Sequence, residues 1–304
     1  MALTIGVDVG GTKVAAGVAD EAGHLLEELR TSTPEASYPD LVAAIAGVTG
    51  ELADRHQVTG VGLAIAGNVR VDGSGVLFSP NIPGLADEPL RDDLQARTGL
   101  PVVVANDADA AAWAEFRFGG HLAVGEGGDD LLMVALGTGL GSGLVLDGRL
   151  YRGAHGFAGE AGHLPVVRDG RPCPCGSRGC WERYASGTAL LEDFREAGGD
   201  PTLGGPEVTQ AARAGDPLAT AAFQAVGQWL GHGLAGLVAV LDPGVIVVGG
   251  GLADAGELLL APARSALAGT VTGGSRRPLP PLSAARLGNA AGMVGAAALA
   301  TPQR

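Results

Sequence analysis

The sequence predicts a mixed α/β fold built from two related halves, and three observations support this prediction. Residues 3–19 have the pattern of an apolar strand, a glycine turn and a second apolar strand, and residues 131–152 repeat that design. Segments with helical and strand-like patterns alternate along the chain, as in α/β proteins. The chain has 304 residues, 46% of them hydrophobic, which is sufficient for two domains with their own cores.

The first half is predicted to continue the opening hairpin with alternating strands and helices. Its last strand ends at Asn106 and Asp107, where an alanine-rich helix begins. Gly, Asn and Pro are frequent between residues 67 and 84, and this composition predicts a loop there. The predicted elements are a strand at 25–31, a helix at 39–55, a strand at 58–65, a loop at 67–84, a helix at 88–98 and a strand at 101–105.

The second half is predicted to contain a third glycine turn and further helices. No segment has the composition of a long flexible linker. We therefore predict a small α/β domain of residues 1–107 plus 289–304 and a large α/β domain of residues 108–288, which carries the cysteines. The predicted elements after the second hairpin are a helix at 216–241, a strand and glycine turn at 245–251, a helix at 256–267 and a helix at 290–300.

Charge and hydropathy restrict the classes of partner. The formal net charge is −13, from 33 acidic and 20 basic residues, and the arginines are scattered. Because nucleic acids are bound by clustered Lys and Arg, we expect no nucleic-acid partner. No uncharged apolar run reaches the roughly 18 residues of a membrane span, and the N-terminus lacks a basic signal region. We expect a cytoplasmic protein without a membrane partner.

Residues 159–186 contain every cysteine of the protein. His163, Cys173, Cys175 and Cys180 have the spacing H-x9-C-x-C-x4-C, which supplies the four ligands of a structural zinc site without an open position. Three unrelated buried thiols are the alternative, but the clustering and the interleaved Pro and Gly disfavour it. The odd number of cysteines disfavours a disulfide. Glutamates at 160 and 182 flank the ligands.

The two glycine turns are candidate phosphate-binding segments. Residues 8–13 read DVGGTK and residues 137–139 read GTG, and both connect two strands. Twin turns of this kind can present backbone N–H groups and threonine hydroxyls to one polyphosphate. Neither matches a Walker loop, and no helix follows directly as a dinucleotide fingerprint requires. A plain hairpin turn is the alternative for each.

Five segments together resemble the ROK family of sugar kinases, repressors and uncharacterised relatives. They read DVGGTK, NDADAAAWAE, LGTGLGSGLVLDGRLYRGAHGFAGEAGH, CPCGSRGCWE and IVVGGG, and the resemblance spans nearly the whole chain. It is strongest to the ATP-dependent glucokinases of that family. The resemblance implies an actin-like, ribonuclease-H-like two-domain sugar kinase fold with an interdomain cleft. It also implies phosphorylation of the 6-hydroxyl of glucose by ATP, with Mg²⁺, structural Zn²⁺ and a homodimer or homotetramer.

The resemblance also implies roles for individual residues. Asp107 would be the general base, whereas a helix N-cap is its structural alternative. Asp8 would act through Mg²⁺, and the turn at 249–251 has a plain strand-to-helix turn as its alternative. The implied sugar ligands are Gly67, Asn81, Asn106, Asp107, Glu160, His163 and Glu182. The implied nucleotide ligands are Asp8, Gly10, Gly11, Thr12, Lys13, Thr138, Gly139, Gly249, Gly250 and Gly251. The implied metal ligands are His163, Cys173, Cys175 and Cys180.

Two departures and several alternatives accompany the resemblance. Ala66 stands where many relatives have Pro, which affects sugar preference, and Asp109 stands where many have Asn. Fructose, mannose or N-acetylmannosamine are alternative acceptors, and inorganic polyphosphate is an alternative donor. A sugar-sensing repressor is disfavoured, because its DNA-binding domain would precede a turn that begins at residue 8. A zinc-stabilised binding module would leave Asp107 and the twin turns unexplained.

Overall fold

The protein is described here by a computed structural model that covers residues 2–34, 37–79, 82, 84–121 and 129–301. The chain divides into two compact units. The first comprises Met1–Gly120, Gly143–Gly159 and Arg286–Arg304, and the second comprises His121–Ser142 and Glu160–Ala285. Within the described residues, no helix is long and apolar enough to cross a lipid bilayer.

Helices and strands alternate along the chain much as the hydrophobic patterns predict. In chain order they are β1 (Leu3–Val9), β2 (Lys13–Ala19), β3 (Leu25–Ser32), α1 (Tyr38–Arg55), β4 (Val58–Ile65), β5 (Asn68–Val69), β6 (Val76–Phe78), β7 (Ala86–Glu88), α2 (Leu90–Thr98), β8 (Val102–Asn106), α3 (Asp107–Phe118), β9 (Leu131–Leu136), β10 (Leu140–Leu146), β11 (Arg149–Leu150), α4 (Gly187–Glu196), α5 (Gly205–Arg213), α6 (Pro217–Leu241), β12 (Val245–Gly249), α7 (Glu257–Thr270), β13 (Leu282–Ala284) and α8 (Ala291–Ala300).

The sheet of the first unit brings three predicted site segments to one edge. Its strand order is β3-β2-β1-β4-β8. β1, β4 and β8 are parallel, with Val9 opposite Ile65 and Ile65 opposite Asn106. Because parallel strands end at the same edge, the glycine turn after β1, Gly67 after β4 and the start of α3 follow neighbouring positions.

A second five-stranded sheet repeats this topology, with the order β11-β10-β9-β12-β13. If the five strands of each sheet are numbered in chain order, both sheets have the spatial order 3-2-1-4-5. β9 and β12 are parallel, with Ala135 opposite Gly249. The turns that follow these two strands therefore leave the sheet at the same edge. The repeated strand order agrees with two related halves.

Helix α8 packs on the first sheet through direct backbone contacts. A Cβ on Gly6 would lie 1.8 Å from the Met293 carbonyl oxygen, and one on Gly62 would lie 1.8 Å from the Ala296 carbonyl oxygen. A Cβ on Gly295 would lie 1.7 Å from the Ala110 carbonyl oxygen of α3. α3 therefore belongs to the first unit, whereas the sequence-based division starts the large domain at residue 108.

Two parts of the fold differ from the sequence analysis. Residues 67–84, predicted as a loop, contain β5 and β6, which form a three-stranded antiparallel sheet with β7. These strands have two or three residues each, too few for a periodic pattern, and buried Val69 and Val76 hold them. Helices α4 and α5 were not predicted, although Ser186 caps α4 by accepting from the N–H of Ala189.

The glycine contacts under α8 give a stability prediction. Gly62→Ala should lower the free energy of unfolding by about 3 kcal/mol, because the new methyl group overlaps a backbone carbonyl that cannot move alone. Gly47→Ala is the matched control, since a Cβ at this exposed position in α1 meets open space. It should raise stability by up to about 1 kcal/mol. Equal urea midpoints for the two variants would contradict the packing argument.

Candidate active site and metal centre

The turn after β1 is closed by its own backbone and by Thr33. The N–H of Gly10 donates to the Lys13 carbonyl at 3.0 Å, and the Thr33 hydroxyl donates to the Gly10 carbonyl at 2.7 Å. Asp8 lies over α8, since a Cβ on Gly292 would be 3.4 Å from its carboxylate. Burial raises the pKa of Asp8, and the charge of Lys13 partly offsets this shift. Lys13 is the only lysine of the chain.

Asn106 connects the start of α3 to the loop after β4. Its side-chain amide donates to the Gly67 carbonyl at 3.1 Å, and its oxygen accepts from the N–H groups of Ala108 and Asp109 at 2.9 and 3.2 Å. The N-cap role considered for Asp107 therefore belongs to Asn106. Asp107 is the first helical residue, where the positive end of the helix dipole stabilises its negative charge.

The backbone next to Gly67 is also tied to the residues that follow β6. The Ser79 hydroxyl donates to the Ala66 carbonyl at 2.5 Å and accepts from the N–H of Ile82 at 3.1 Å. These hydrogen bonds fix the backbone at Ala66. Asn81, predicted as a sugar ligand, lies outside the described residues.

Two buried carboxylates of α3 have structural partners that the sequence analysis missed. The Asp109 carboxylate lies 3.7 Å from the Arg152 guanidinium. The fully buried Glu115 accepts from the N–H groups of Arg286 and Leu287 at 2.9 and 2.8 Å. Glu115 thereby fixes the segment that leads into α8. A charged residue inside an alanine-rich helix was the available signal, but only the tertiary structure supplies its partners.

In the second unit, the glycine turn after β9 lies against the N-terminus of α4. The N–H of Gly187 donates to the Gly137 carbonyl at 2.8 Å, and the Thr188 hydroxyl donates to the Thr138 carbonyl at 2.7 Å. Within the turn, the N–H of Gly137 donates to the Gly139 carbonyl at 3.0 Å. The turn is therefore held at a helix end whose dipole favours anions.

The turn after β12 lies beside the glycine turn that follows β9. Gly250 has a φ of 78°, which favours glycine. A Cβ at Gly250 would also lie 2.4 Å from the Leu136 carbonyl oxygen, so a larger residue is excluded by space as well. Gly251 then begins the short 3-10 helix Gly251–Ala255. The two predicted nucleotide segments of this unit are therefore neighbours.

His163, Cys173, Cys175 and Cys180 form one group whose ligand atoms all lie within 4.8 Å of one another. The Sγ atoms of Cys175 and Cys180 are 3.6 Å apart, and Cys173 Sγ is 3.8 Å from His163 Nδ1. A tetrahedral ion with metal–sulfur bonds of about 2.3 Å has ligand atoms about 3.8 Å apart, so the group has the dimensions of such a site. Burial raises the pKa of the Cys173 and Cys180 thiols, so metal binding must displace protons.

The flanking glutamates lie beside this metal group. Glu182 accepts from Cys173 Sγ at 3.0 Å and lies 3.8 Å from His163 Nδ1. Glu160 lies 3.9 Å from His163 Nε2, on the other side of the ring. A Cβ on Gly139 would be only 2.6 Å from a Glu182 carboxylate oxygen. The second unit thus places two carboxylates, an imidazole and a glycine turn in one cluster.

A second set of contacts, made by two arginines, holds the loop of residues 159–186 that carries the candidate metal ligands. Arg171 donates to the Asp193 carboxylate at 2.7 Å and to the Arg183 carbonyl at 3.0 Å. Arg183 donates to the Glu192 carboxylate at 2.6 Å. Both carboxylates belong to α4, so one helix binds both arms of the loop. The sequence analysis did not identify these arginines, because it had not predicted α4.

Comparison with known proteins identifies the family. The model of the ROK family matches residues 4–303. The chain belongs to the ROK family. A glucokinase of Streptomyces coelicolor is 44% identical to it over 317 residues, which cover 99% of this chain and 98% of that protein. A solved ROK family glucokinase from Streptomyces griseus, in complex with glucose and AMPPNP, is 45% identical, with a TM-score of 0.86 and coverage of 98% of this chain and 99% of that one.

A ROK hexokinase from Thermus thermophilus has a similar structure, at 38% identity, a TM-score of 0.81 and coverage of 98% of this chain and 97% of that one. The expected two-sheet α/β fold of ROK kinases is thereby confirmed. In this ROK protein, the predicted site residues are grouped within each unit. The first unit holds Asp8, Gly10, Gly11, Thr12, Lys13, Gly67, Asn106 and Asp107, and the second holds Thr138, Gly139, Glu160, His163, Cys173, Cys175, Cys180, Glu182, Gly249, Gly250 and Gly251.

The arginine contacts of this ROK protein give a second prediction. Arg171→Met should lower the free energy of unfolding by about 2 kcal/mol, because it leaves a partly buried carboxylate on α4 without its partner. Arg168→Met is the matched control in the same loop, since the Arg168 side chain is 96% exposed. Urea denaturation measures the free energy of unfolding of both variants. Equal midpoints for the two variants would show that the contacts do not support the loop.

Proposed function

We propose that this chain is an ATP-dependent glucokinase, which transfers the γ-phosphoryl group of ATP to the 6-hydroxyl of glucose. The products are glucose 6-phosphate and ADP. The proposal rests on one observation above all. The glucokinase whose structure holds glucose and AMPPNP is similar to this chain over nearly the full length of both proteins, at 45% identity.

In the proposed reaction Asp107 is the general base. Its carboxylate accepts the proton of the 6-hydroxyl while the hydroxyl oxygen forms a bond to the γ-phosphorus. The bond between that phosphorus and the β–γ bridging oxygen breaks, and ADP leaves with the electron pair. Phosphoryl transfer needs mainly positioning and charge neutralisation, so one carboxylate within hydrogen-bond reach is a sufficient base. Its position as the first residue of α3, after the Asn106 cap, supports this role.

The proposed glucose ligands come from the loops described above. Glu160 and Glu182 accept hydrogen bonds from sugar hydroxyls, and His163 donates from Nε2 while Nδ1 faces the thiols. Asn106 and the backbone at Gly67 are the proposed glucose ligands of the first unit, where the Asn106 amide binds the Gly67 carbonyl. Asn81 is assigned to this set from the family resemblance alone.

The proposed ATP ligands are the glycine turns. Gly10, Gly11, Thr12, Thr138 and Gly139 would offer N–H and hydroxyl donors to the phosphates, and Lys13 would offer its charge. Gly249, Gly250 and Gly251 would line the adenosine side. Mg²⁺ would neutralise phosphate charge when bound, and the Asp8 carboxylate would hold it through water.

We assign zinc to the group of His163 and the three cysteines, with a structural role, since four protein ligands leave no open position. The proposal also includes a cytoplasmic location and a homodimer or homotetramer. Other hexoses as acceptors and polyphosphate as donor are the alternatives within the same chemistry, because small shifts of the same side chains select the sugar.

A coupled assay of ADP release tests the proposed activity. It is run with ATP over a panel of glucose, fructose, mannose and N-acetylmannosamine. Direct measurement of glucose 6-phosphate, with polyphosphate in place of ATP, then tests the donor. Glucose with ATP should give the highest kcat/KM. A higher value for another sugar, or for polyphosphate, would replace the proposed substrate.

Asp107→Asn should still bind glucose but lose about 10³-fold in kcat, since general bases typically contribute 10²–10⁴-fold. Asp92→Asn is the control, because it makes the same change at an exposed aspartate on α2 of the same unit. It should keep turnover within about threefold, as expected for a change away from the reacting groups. Near wild-type turnover of Asp107→Asn would contradict the assignment of Asp107 as the general base.

Removal of the metal should raise the KM for glucose about tenfold or more and leave the KM for ATP nearly unchanged, because loss of structural ligands misplaces the neighbouring carboxylates. Cys173→Ser should have the same effect and should bind less than one zinc ion per chain in elemental analysis. Metal-free protein with unaltered glucose kinetics would contradict the link between the metal and the sugar ligands.

A further inference from the structure

Three segments of the first unit carry its proposed glucose ligands. Gly67 follows β4, Asn106 ends β8, and Asn81 lies between Ser79 and Ile82 in the sequence. The hydroxyl of Ser79 has no role in the proposed reaction, yet it contacts two of these segments. The residues that make these contacts all belong to the first unit.

The Ser79 hydroxyl joins the end of β4 to the residues that follow β6. It donates to the Ala66 carbonyl at 2.5 Å and accepts from the N–H of Ile82 at 3.1 Å. A hydroxyl is both a donor and an acceptor, so this one side chain serves two backbone groups at normal hydrogen-bond distances. Removal of the hydroxyl would take this bond from both groups at once.

The same two segments are also in close backbone contact. A Cβ on Gly67 would lie 2.8 Å from the Phe78 carbonyl oxygen and 3.1 Å from the Ser79 Cβ. The N–H of Ser79 donates to the Leu85 carbonyl at 3.1 Å, and the N–H of Leu85 donates to the Ile82 carbonyl at 3.3 Å. The backbone of Ser79 is therefore itself held, and its hydroxyl has a defined place beside Gly67.

The segment at Gly67 has a second side-chain support in Asn106. The Asn106 amide donates to the Gly67 carbonyl at 3.1 Å, so the consecutive carbonyls of Ala66 and Gly67 accept from two different side chains. Asn106 also caps α3 through its side-chain oxygen. The start of α3, which carries the proposed base, thus has a support that does not include Ser79.

We propose that Ser79 is a positioning residue for glucose, which acts through the backbone at Gly67 and at Ile82. This inference rests on the proposed glucokinase activity and deepens it, because it assigns a role to a residue that is not among the proposed ligands. Side chains and backbone groups that bind a substrate must be held to within about 0.5 Å. Ser79 supplies that restraint to the sugar ligands, whereas the base on α3 is held by its own cap.

Steady-state kinetics of Ser79→Ala test the proposal. The KM for glucose should rise about tenfold, because freed backbone groups misplace the sugar ligands. The KM for ATP and kcat should stay within about threefold of the wild type. Ser74→Ala is the matched control, since it removes the hydroxyl of a nearby serine whose partner is the exposed Asp72 carboxylate. It should leave all three constants within about threefold.

Hydrogen exchange gives a readout that does not depend on activity. The amide of Ile82 should exchange about tenfold faster in Ser79→Ala than in the wild type, because its acceptor is lost. In Ser74→Ala it should exchange at the wild-type rate. An unchanged rate in Ser79→Ala would refute the hydrogen bond on which the proposal depends.

The kinetic outcomes separate this proposal from the proposed function. An unaltered KM for glucose in Ser79→Ala, in a protein whose wild type phosphorylates glucose, would overturn the positioning role and leave the glucokinase activity intact. A rise in both KM values with an equal fall in kcat would show a general structural role instead. If another hexose is the acceptor, its KM takes the place of that for glucose. Wild-type protein that phosphorylates no hexose would overturn both proposals.

Discussion

The close approach of α8 to the first sheet is the constraint on which the first unit depends. Glycines at positions 6 and 62 let the helix backbone contact the sheet, and Gly295 lets α3 contact the same helix. The ends of β1, β4 and β8, and the start of α3, are thereby held in fixed relation. Asp8 lies over the same helix at Gly292, so its burial and its raised pKa follow from this packing. Close packing of this kind tolerates little change in volume.

The second unit obtains its rigidity differently, from three anchors on one loop. The metal group joins His163 to the cysteines, and the arginine contacts join both loop arms to α4. Trp181 is fully buried and donates to the Trp229 carbonyl at 2.8 Å, which fixes the loop to α6. A polar site needs side chains held by such surroundings, because a loop without a core would let the carboxylates move. The proposed zinc site is therefore one support among several.

The sequence determined the main elements and the chemistry of the candidate ligands. Strand and helix periodicity located β1–β4, β8–β10, β12, α1–α3 and α6–α8, because these segments are long enough to repeat a pattern. It did not locate β5–β7, β11 or β13, which have two or three residues each, or α4 and α5. The spacing of His163 and the cysteines predicted a group of four candidate metal ligands, and the structure brings these residues together, since short-range spacing and turn residues fix that geometry locally.

Only the tertiary structure decided which of these residues meet. Asn106, not Asp107, caps α3, because the direction of each side chain depends on how the chain enters the helix. Glu182 lies against Gly139, and Glu115 binds the segment before α8, through contacts between residues 43 and 171 positions apart in sequence. Such contacts leave no periodic signal, because they arise from packing of distant elements and not from local conformation. The sequence by itself therefore determined the residue types and the local turns, and the packing decided their partners.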